Sequence, residues 1–433
     1  MVLLAAIVSL LALASTSTAR LEKCKRRSTS TNKNASTAST ASDTTSLHKD
    51  YSKSSSAGAS GSSATAWFPV DKVRGVNLGS WFLIEPWMIP ETWNAMGCSG
   101  YDSEMACNKA LGIDALQAKY EKHWDTFYSQ SDFYEMKKLG LNTVRIPLGF
   151  WTVESTIADD EPFARGSMHW VRRAARWAKQ AGLSVILDLH ALPGRQSTES
   201  FSGDTTLAVS FFANNNYERA YDVLKNWTTL AHTDPDFSTV VMIEPVNEPE
   251  RDKPSLLNVF YPGAQKAIRD TEKSLGISCG GSGKQCLTIQ YMSKSWGSGD
   301  PSAHINTDDH VAYDDHLYTQ WIVQDWQRTR QGYLDFLCKT GRTTDMSGPV
   351  IAGEWSLSTI GGGELETTSD GALEFFQKFA AAQIYAGEKG AGWIFWSWKT
   401  ELGSSTWDYQ GAVNAGYIPK DLAKIDTSVC NGY

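Results

Sequence analysis

Downstream of Ala19 the sequence has no apolar run long enough to span a bilayer. No cysteine and histidine spacing suits zinc, so no metal is expected, and no cofactor either. A glycine-rich phosphate loop is also missing, because Gly75-Val-Asn-Leu-Gly79 lacks the required spacing. That absence counts against an open doubly wound sheet. Positive charge is not in excess: the net charge of −8 argues against nucleic acid as a partner. From Ser28 to Ala66 almost every apolar side chain larger than alanine is missing, and Ser, Thr, Ala, Gly and Asn take their place. Such a stretch cannot bury enough surface to offset chain entropy, and residues 20–66 are expected to be a disordered linker.

Val2 to Ala19 is apolar and ends in Ser17-Thr18-Ala19, the pattern of a secretory signal over residues 1–19, although no Lys or Arg precedes it. Lys23-Cys-Lys-Arg-Arg27 follows at once, which makes an N-terminal membrane anchor the competing reading. Arg26-Arg27 also fits a dibasic processing site. Asn34-Ala-Ser36 and Asn226-Trp-Thr228 match the glycosylation acceptor pattern. Of seven cysteines, Cys24 lies before the folded part and six lie within it. A secreted chain with an even set suggests disulfides, expected in sequence order as Cys98–Cys107, Cys279–Cys286 and Cys338–Cys430.

What the sequence has in abundance is aromatic: 17 Trp, 16 Tyr and 16 Phe. Flat faces with polar edges suit sugar rings, and they also pack cores. The folded part, residues 67–433, alternates short Val/Ile/Leu-rich runs with helical patterns. The runs are Lys72–Leu78, Leu141–Pro147, Leu183–His190, Val240–Val246, Gln285–Tyr291, His310–Tyr318, Pro349–Trp355 and Ala391–Trp398. Between them, His123–Leu139, Met168–Gln180, Tyr217–Ala231, Ser255–Leu275, Asp325–Lys339 and Gly371–Gly387 read as helices. Strands without polar alternation belong to a parallel sheet covered on both faces, and eight such units close into a (β/α)8 TIM barrel.

In a barrel, chemistry sits at the C-terminal ends of the strands. Polar residues collect there: Glu85 after the first strand, then Arg145, His190, Asn247 with Glu248, His316 with Tyr318, Glu354 and Trp398. Singly each has a structural reading. Arg145 could pair a carboxylate, the histidines could be satisfied core residues, and Trp398 could be packing. Together they outline a site. Asn247-Glu248-Pro249 ends a buried run, and Pro249 is expected to hold Glu248 extended. Gly353-Glu354-Trp355 repeats that design. Two glutamates without metal ligands suit glycoside hydrolysis, one as acid/base and one at the sugar carbon, with their separation deciding the stereochemical outcome. Arg145 and Tyr318 suit a nucleophile at Glu354 by donating to it. His190, Asn247 and His316 suit sugar hydroxyls, and Trp398 suits the floor beneath the ring.

The ordered set Gly75-Val-Asn-Leu-Gly, Leu83-Ile-Glu-Pro-Trp, Asn142-Thr-Val-Arg-Ile-Pro, Asp188-Leu-His, Asn247-Glu-Pro, His316-Leu-Tyr, Gly353-Glu-Trp-Ser and Gly392-Trp-Ile-Phe-Trp-Ser-Trp-Lys-Thr-Glu401 resembles glycoside hydrolase family 5. Within it the motifs most resemble those of secreted exo-β-1,3-glucanases of fungi and related walled organisms. The resemblance implies a metal-free, retaining enzyme that releases glucose from the non-reducing end of β-1,3-glucan, with transfer to other sugars as a side reaction. It places the acid/base on Glu248 and the nucleophile on Glu354. It places the family's other site residues on Arg145, His190, Asn247, His316, Tyr318 and Trp398, with Trp396 the less favoured tryptophan. Glu85 then grips the terminal glucose. The loop after His190, Ala-Leu-Pro-Gly-Arg-Gln-Ser, departs from relatives of the yeast type, and Phe201 and Trp321 are the candidates for an aromatic clamp. The expected partner is a β-glucan polysaccharide or oligosaccharide, with the chain acting as a monomer. The alternatives are an endo-β-1,4-glucanase or mannanase on the same scaffold, and a non-catalytic wall-glucan-binding protein.

Overall fold

Eight short strands pair in parallel, each with the next, and the last returns to the first to close a barrel: β1 Val73–Asn77, β2 Thr143–Gly149, β3 Ser184–Ala191, β4 Val240–Glu244, β5 Thr288–Met292, β6 Val311–His316, β7 Val350–Glu354 and β8 Gly392–Phe395. This computed structural model describes residues 68–279, 285–341 and 345–433. The expected leader (1–19), the linker (20–66) and Asn34 lie outside the described residues.

The seam between β1 and β8 pairs Val73 with Gly392 and Val76 with Phe395. Gly392 has φ 134°, and a Cβ there would stand 2.0 Å from the Val73 carbonyl oxygen, so only glycine lets the two strands approach. Inside the barrel, Val73, Ile186, Met242, Ala312, Ile351 and Ile394 form an apolar floor against which Phe68 and Val70 pack. Side chains two apart on a strand share a face. One step above that floor the sequence supplies Asp188, Glu244 and Asp314, so the apolar plug gives way at once to a charged layer.

The helices cover the outside with alternating polar and apolar faces. Met168–Ala181 buries Val171, Ala174, Ala175, Ala178 and Ala181 and ends at left-handed Gly182. The run expected over His123–Leu139 is two helices, Ile113–Thr126 and Gln130–Lys138, because Ser129 and Asp132 form a capping box that starts a new helix. The Ser255–Leu275 run opens with a π-helical turn at Leu256–Phe260. Asp325–Lys339 divides into three short turns of helix. β5 and β6 are joined by single turns at Lys294–Trp296 and Pro301–Ala303, with no α-helix between them. All three expected disulfides are present. Asn226 lies in the helix Asn214–Thr233, where Thr228 is buried and donates to the Leu224 carbonyl. No helix among the described residues is long and apolar enough to cross a membrane.

Candidate active site

Arg145 stands at the centre of the charged layer with no solvent exposure. Its Nε donates to Glu244 Oε2 at 2.8 Å, and Nη1 donates to Asn77 Oδ1 and Glu354 Oε1, both at 3.0 Å. Nη2 donates to Asn247 Oδ1 at 3.0 Å and lies 3.1 Å from Asp188 Oδ2. Burial alone would lower its pKa, but Asp188, Glu244, Glu354 and Asp314 outweigh burial and hold it well above the usual value. One planar cation thereby ties β1, β2, β3 and β7 to the segment that follows β4.

Glu354 receives Arg145 on Oε1 and the Tyr318 hydroxyl on Oε2 at 2.7 Å. Burial raises its pKa, while His316 and Arg145 pull it down. Glu248 lies beyond the end of β4, its side chain 15% exposed, with Oε1 2.7 Å from His316 Nδ1. A carboxylate oxygen of Glu248, one of Glu354 and a ring nitrogen of His316 all lie within 4.8 Å of one another. The two strand-end glutamates therefore meet in one place. Glu248 is not extended, as Pro249 had suggested: its φ is 39°, a left-handed backbone that is costly for a non-glycine residue. β4 stops at Glu244, and the chain turns sharply before Pro249, which swings the Glu248 carboxylate back over the barrel mouth.

His316 sits between two carboxylates, with Nδ1 on Glu248 and Nε2 3.1 Å from Asp314 Oδ2. Burial would lower its pKa, yet Glu354 and Asp314 together raise it well above the ordinary histidine value, so both nitrogens carry protons. His190 is held by Asp188 Oδ2 at 2.6 Å from Nδ1, and its pKa is likewise raised, with Asp188 outweighing burial. Asn247 has its oxygen fixed by Arg145 and its Nδ2 3.4 Å from His190 Nε2. Glu85 accepts the Trp87 indole N–H on Oε2 at 2.9 Å, whereas its buried Oε1 has no protein partner and lies 3.9 Å from His190 Nε2. Burial pushes the Glu85 carboxyl up to about 7.

Eight of the nine residues expected from the sequence thus gather in one cluster, and Trp398 does not. Its indole N–H bonds Asp132 Oδ1 at 2.9 Å and its ring lies along Tyr409, so it packs behind the strand end. Trp396, the less favoured tryptophan, borders the cluster instead, stacked on His190 at 5.4 Å with planes 13° apart. Both of the aromatic clamp candidates border the site. Phe201 meets His190 edge-on at 5.6 Å, and half-exposed Trp321 lies 5.0 Å from Tyr318. An aromatic strip continues from Tyr318 to Trp407 and on to Trp87.

Sequence reasoning gave no role to Asn77, Asp188, Glu244, Asp314 or Trp407. A signal for two of them was present, since Asp188-Leu-His190 and Asp314-Asp-His316 repeat one spacing that puts an aspartate directly beneath a histidine on the same strand face. The divergent loop after β3 is tied down by its own side chains. Gln196 donates to the His190 and Asn247 carbonyls, and buried Arg195 to those of Ser197, Thr198 and Leu207. Two groups of metal-ligand type, Glu244/Asp314/His316 and Glu248/His316/Glu354, share His316. Its nitrogens already donate to carboxylates, and coordination would require one of them stripped of its proton.

The sequence pattern of the family Cellulase (glycosyl hydrolase family 5) matches residues 109–402. The chain is 40% identical over 382 residues to glucan endo-1,6-beta-glucosidase B of Emericella nidulans, covering 85% of this chain and 90% of that protein. It is 29% identical over 393 residues to glucan 1,3-beta-glucosidase 2 of Wickerhamomyces anomalus, covering 81% and 88%. Its fold is similar to the crystal structure of rutinosidase from Aspergillus niger, with a TM-score of 0.63 at 17% identity over 80% of this chain and 97% of that one. With the closed barrel and the paired carboxylates at its mouth, these matches establish that the chain belongs to glycosyl hydrolase family 5 and is a glycoside hydrolase.

Proposed function

We propose that the protein is a retaining β-glucan hydrolase that attacks β-1,6-linked glucan internally, with Glu354 as nucleophile and Glu248 as acid/base. The observation that carries the mechanism is the approach of the two carboxylates to within 4.8 Å. Retaining pairs stand about 5–5.5 Å apart and inverting pairs about 6.5–9.5 Å, the latter to admit a water. The roles follow from the donors. Glu354 has one on each oxygen, which suits an anion poised to attack the anomeric carbon. Glu248 has a single donor and partial exposure, which suits a group that gives its proton to the leaving oxygen and later takes one from water. Asn247, with its oxygen held by Arg145 and Nδ2 beside His190 Nε2, has a second N–H to bond the sugar 2-hydroxyl, and Trp396 supplies the floor.

The linkage departs from the exo-β-1,3 expectation. Its support is the 40% identity to a protein named as an endo-1,6-beta-glucosidase, against 29% to a protein named as a 1,3-beta-glucosidase. The aromatic strip Trp321–Trp407–Trp87 fits an extended chain lying across the mouth. One observation favours exo-β-1,3 action as a second reading: the unpartnered Glu85 Oε1 stands where a terminal sugar would be gripped.

Glu354→Gln should lower turnover on every glucan by roughly 10⁴-fold while the melting temperature holds, and an active variant would sink the mechanism. Product analysis on a linear β-1,6-glucan and on laminarin decides the linkage. Mixed oligomers from the β-1,6-glucan at the earliest times support this reading, and glucose alone from laminarin overturns it. Secretion directed by residues 1–19, and a hydrolase domain over 67–433, belong to the same proposal. N-terminal sequencing of protein recovered from culture medium checks them.

A further inference from the structure

Glu244 lies beneath the reacting pair, fully buried, and the mechanism above gives it no task. Its Oε2 accepts Arg145 Nε at 2.8 Å, and its Oε1 receives no N–H or hydroxyl from the protein. A carboxyl oxygen of Glu244 and one of Asp314 lie within 4.8 Å of each other, both groups without solvent exposure. Two buried carboxyl groups this close cannot both ionise without a large cost, and one of them keeps its proton. Asp314 already accepts the Gly353 N–H on Oδ1 at 2.8 Å and faces His316 Nε2–H with Oδ2 at 3.1 Å. Asp314, with both oxygens engaged, is thus suited to be the anion of the pair, and Glu244, with Oε1 unengaged, to carry the proton.

We propose that Glu244 is kept as a neutral carboxylic acid, donating to Asp314 and accepting from Arg145, and that it is a positioning residue for the Arg145–Glu354 contact. The proposal rests on Glu354 being the nucleophile. Every charged group facing Glu244 fits it. Asp188 comes from β3, Asp314 and His316 from β6, and Arg145 from β2. Gln290, two residues beyond the Met242 partner Thr288 on β5, is neutral, and Tyr261 approaches from the helix Tyr261–Ser274. With Glu244 neutral, one anion fewer shares the Arg145 guanidinium with Asp188, Asp314 and Glu354. Were it ionised, a fourth anion would compete with Glu354 for the same guanidinium. Burial raises the Glu244 pKa well above the ordinary value, whereas His316 and Arg145 hold Asp314 low. Gly353 is part of the device, because a Cβ there would stand 2.1 Å from Asp314 Oδ1 and push the acceptor off the strand.

The test compares two variants of the full chain. Glu244→Ala should lower kcat by about 100-fold through loss of the Arg145 anchor. Glu244→Gln should recover it to within about fivefold of wild type, with the acid limb of the pH profile unmoved, since an amide donates to Asp314 and accepts from Arg145 as the acid does. A Gln variant as poor as the Ala variant would show that the negative charge is needed and overturn the proposal. So would an Ala variant as active as wild type. Infrared spectra supply a readout independent of turnover. In a Glu354→Gln background, the absorption of buried protonated carboxyls, to which Glu85 and Glu104 also contribute, should lose one component when Glu244→Gln is added, and a difference spectrum without that loss overturns the proposal. If Glu354→Gln itself stays active, the nucleophile reading fails, while the infrared result still decides the protonation of Glu244.

Discussion

Below about pH 7 the Glu85 carboxyl holds its proton, because burial outweighs the nearby His190. It can then donate to a sugar hydroxyl as well as accept from one, and above that pH it adds an anion beside Glu354 and Glu248. Glu85→Gln imitates the protonated form. At about pH 5 the variant should stay within about tenfold of wild type in kcat/KM. Wild-type KM should change across pH 7, and that of the variant should not. Equal pH dependence in both proteins would rule out Glu85 as its source. The two tryptophans separate floor from packing. Trp396→Phe should lower kcat/KM by about 100-fold with only a small change in melting temperature, because most of the buried ring is kept. Trp398→Ala should cost about 3–5 kcal/mol of stability by opening a cavity against Tyr409 and stranding Asp132. The sequence could not choose between them, because alternate residues after a strand share a face only while the strand continues, and β8 ends at Phe395. The charged site residues were legible because burying charge is costly, so polar groups at the ends of apolar runs needed a purpose. Glu244 was not, since it stands inside a run and its partner Asp314 is distant in sequence.

Each element's role in the site shows best in the helix Glu104–Leu111, which lies outside the barrel yet shapes the loop carrying Glu85. Glu104 is buried, its Oε1 accepts the Ile84 N–H at 2.7 Å, and its Oε2 has no partner. Burial pushes it up to about 8 from 4.5. A raised carboxyl keeps its proton in the folded state after the unfolded chain has lost it. Its stabilisation is complete below the unfolded value and is lost as pH rises toward the folded one. Wild-type stability should therefore fall between about pH 4.5 and pH 8 by up to about 1.4 kcal/mol per unit. Glu104→Gln should flatten that slope in thermal melts taken across the window, and an unchanged slope would clear Glu104 of responsibility. At this scale the strands were legible because Val, Ile and Leu runs have no other stable place. The helices were less so. The stop at Phe127–Tyr128 depends on a Ser129 cap inside one continuous apolar pattern, and the π-helical turn at Leu256–Phe260 leaves hydrophobic spacing almost unchanged.

The eight strands form a closed ring, and covalent bonds reinforce it unevenly. Cys98–Cys107 and Cys279–Cys286 span 9 and 7 positions, whereas Cys338–Cys430 spans 92 and encloses both β7 and β8. Loop closure assigns about 2–3 kcal/mol to the short bridges and about 4–5 kcal/mol to the long one. Replacing Cys338 and Cys430 with serine should lower the melting temperature furthest of the three pairs, and equal losses would refute the loop-length account. The barrel itself was legible from eight apolar runs in order. Its closure was not, for nothing local in Gly392 announces that β8 will lie against β1. That closure has a consequence for synthesis. Asn77 and Ser397, 320 positions apart, are hydrogen-bonded across the seam. A chain leaving the ribosome must keep the edge of β1 open until β8 has been translated. A nascent chain halted before residue 391 will present bare edges on β1 and β7 to any strand it meets. The cell that makes this protein must shield those edges until β8 has emerged.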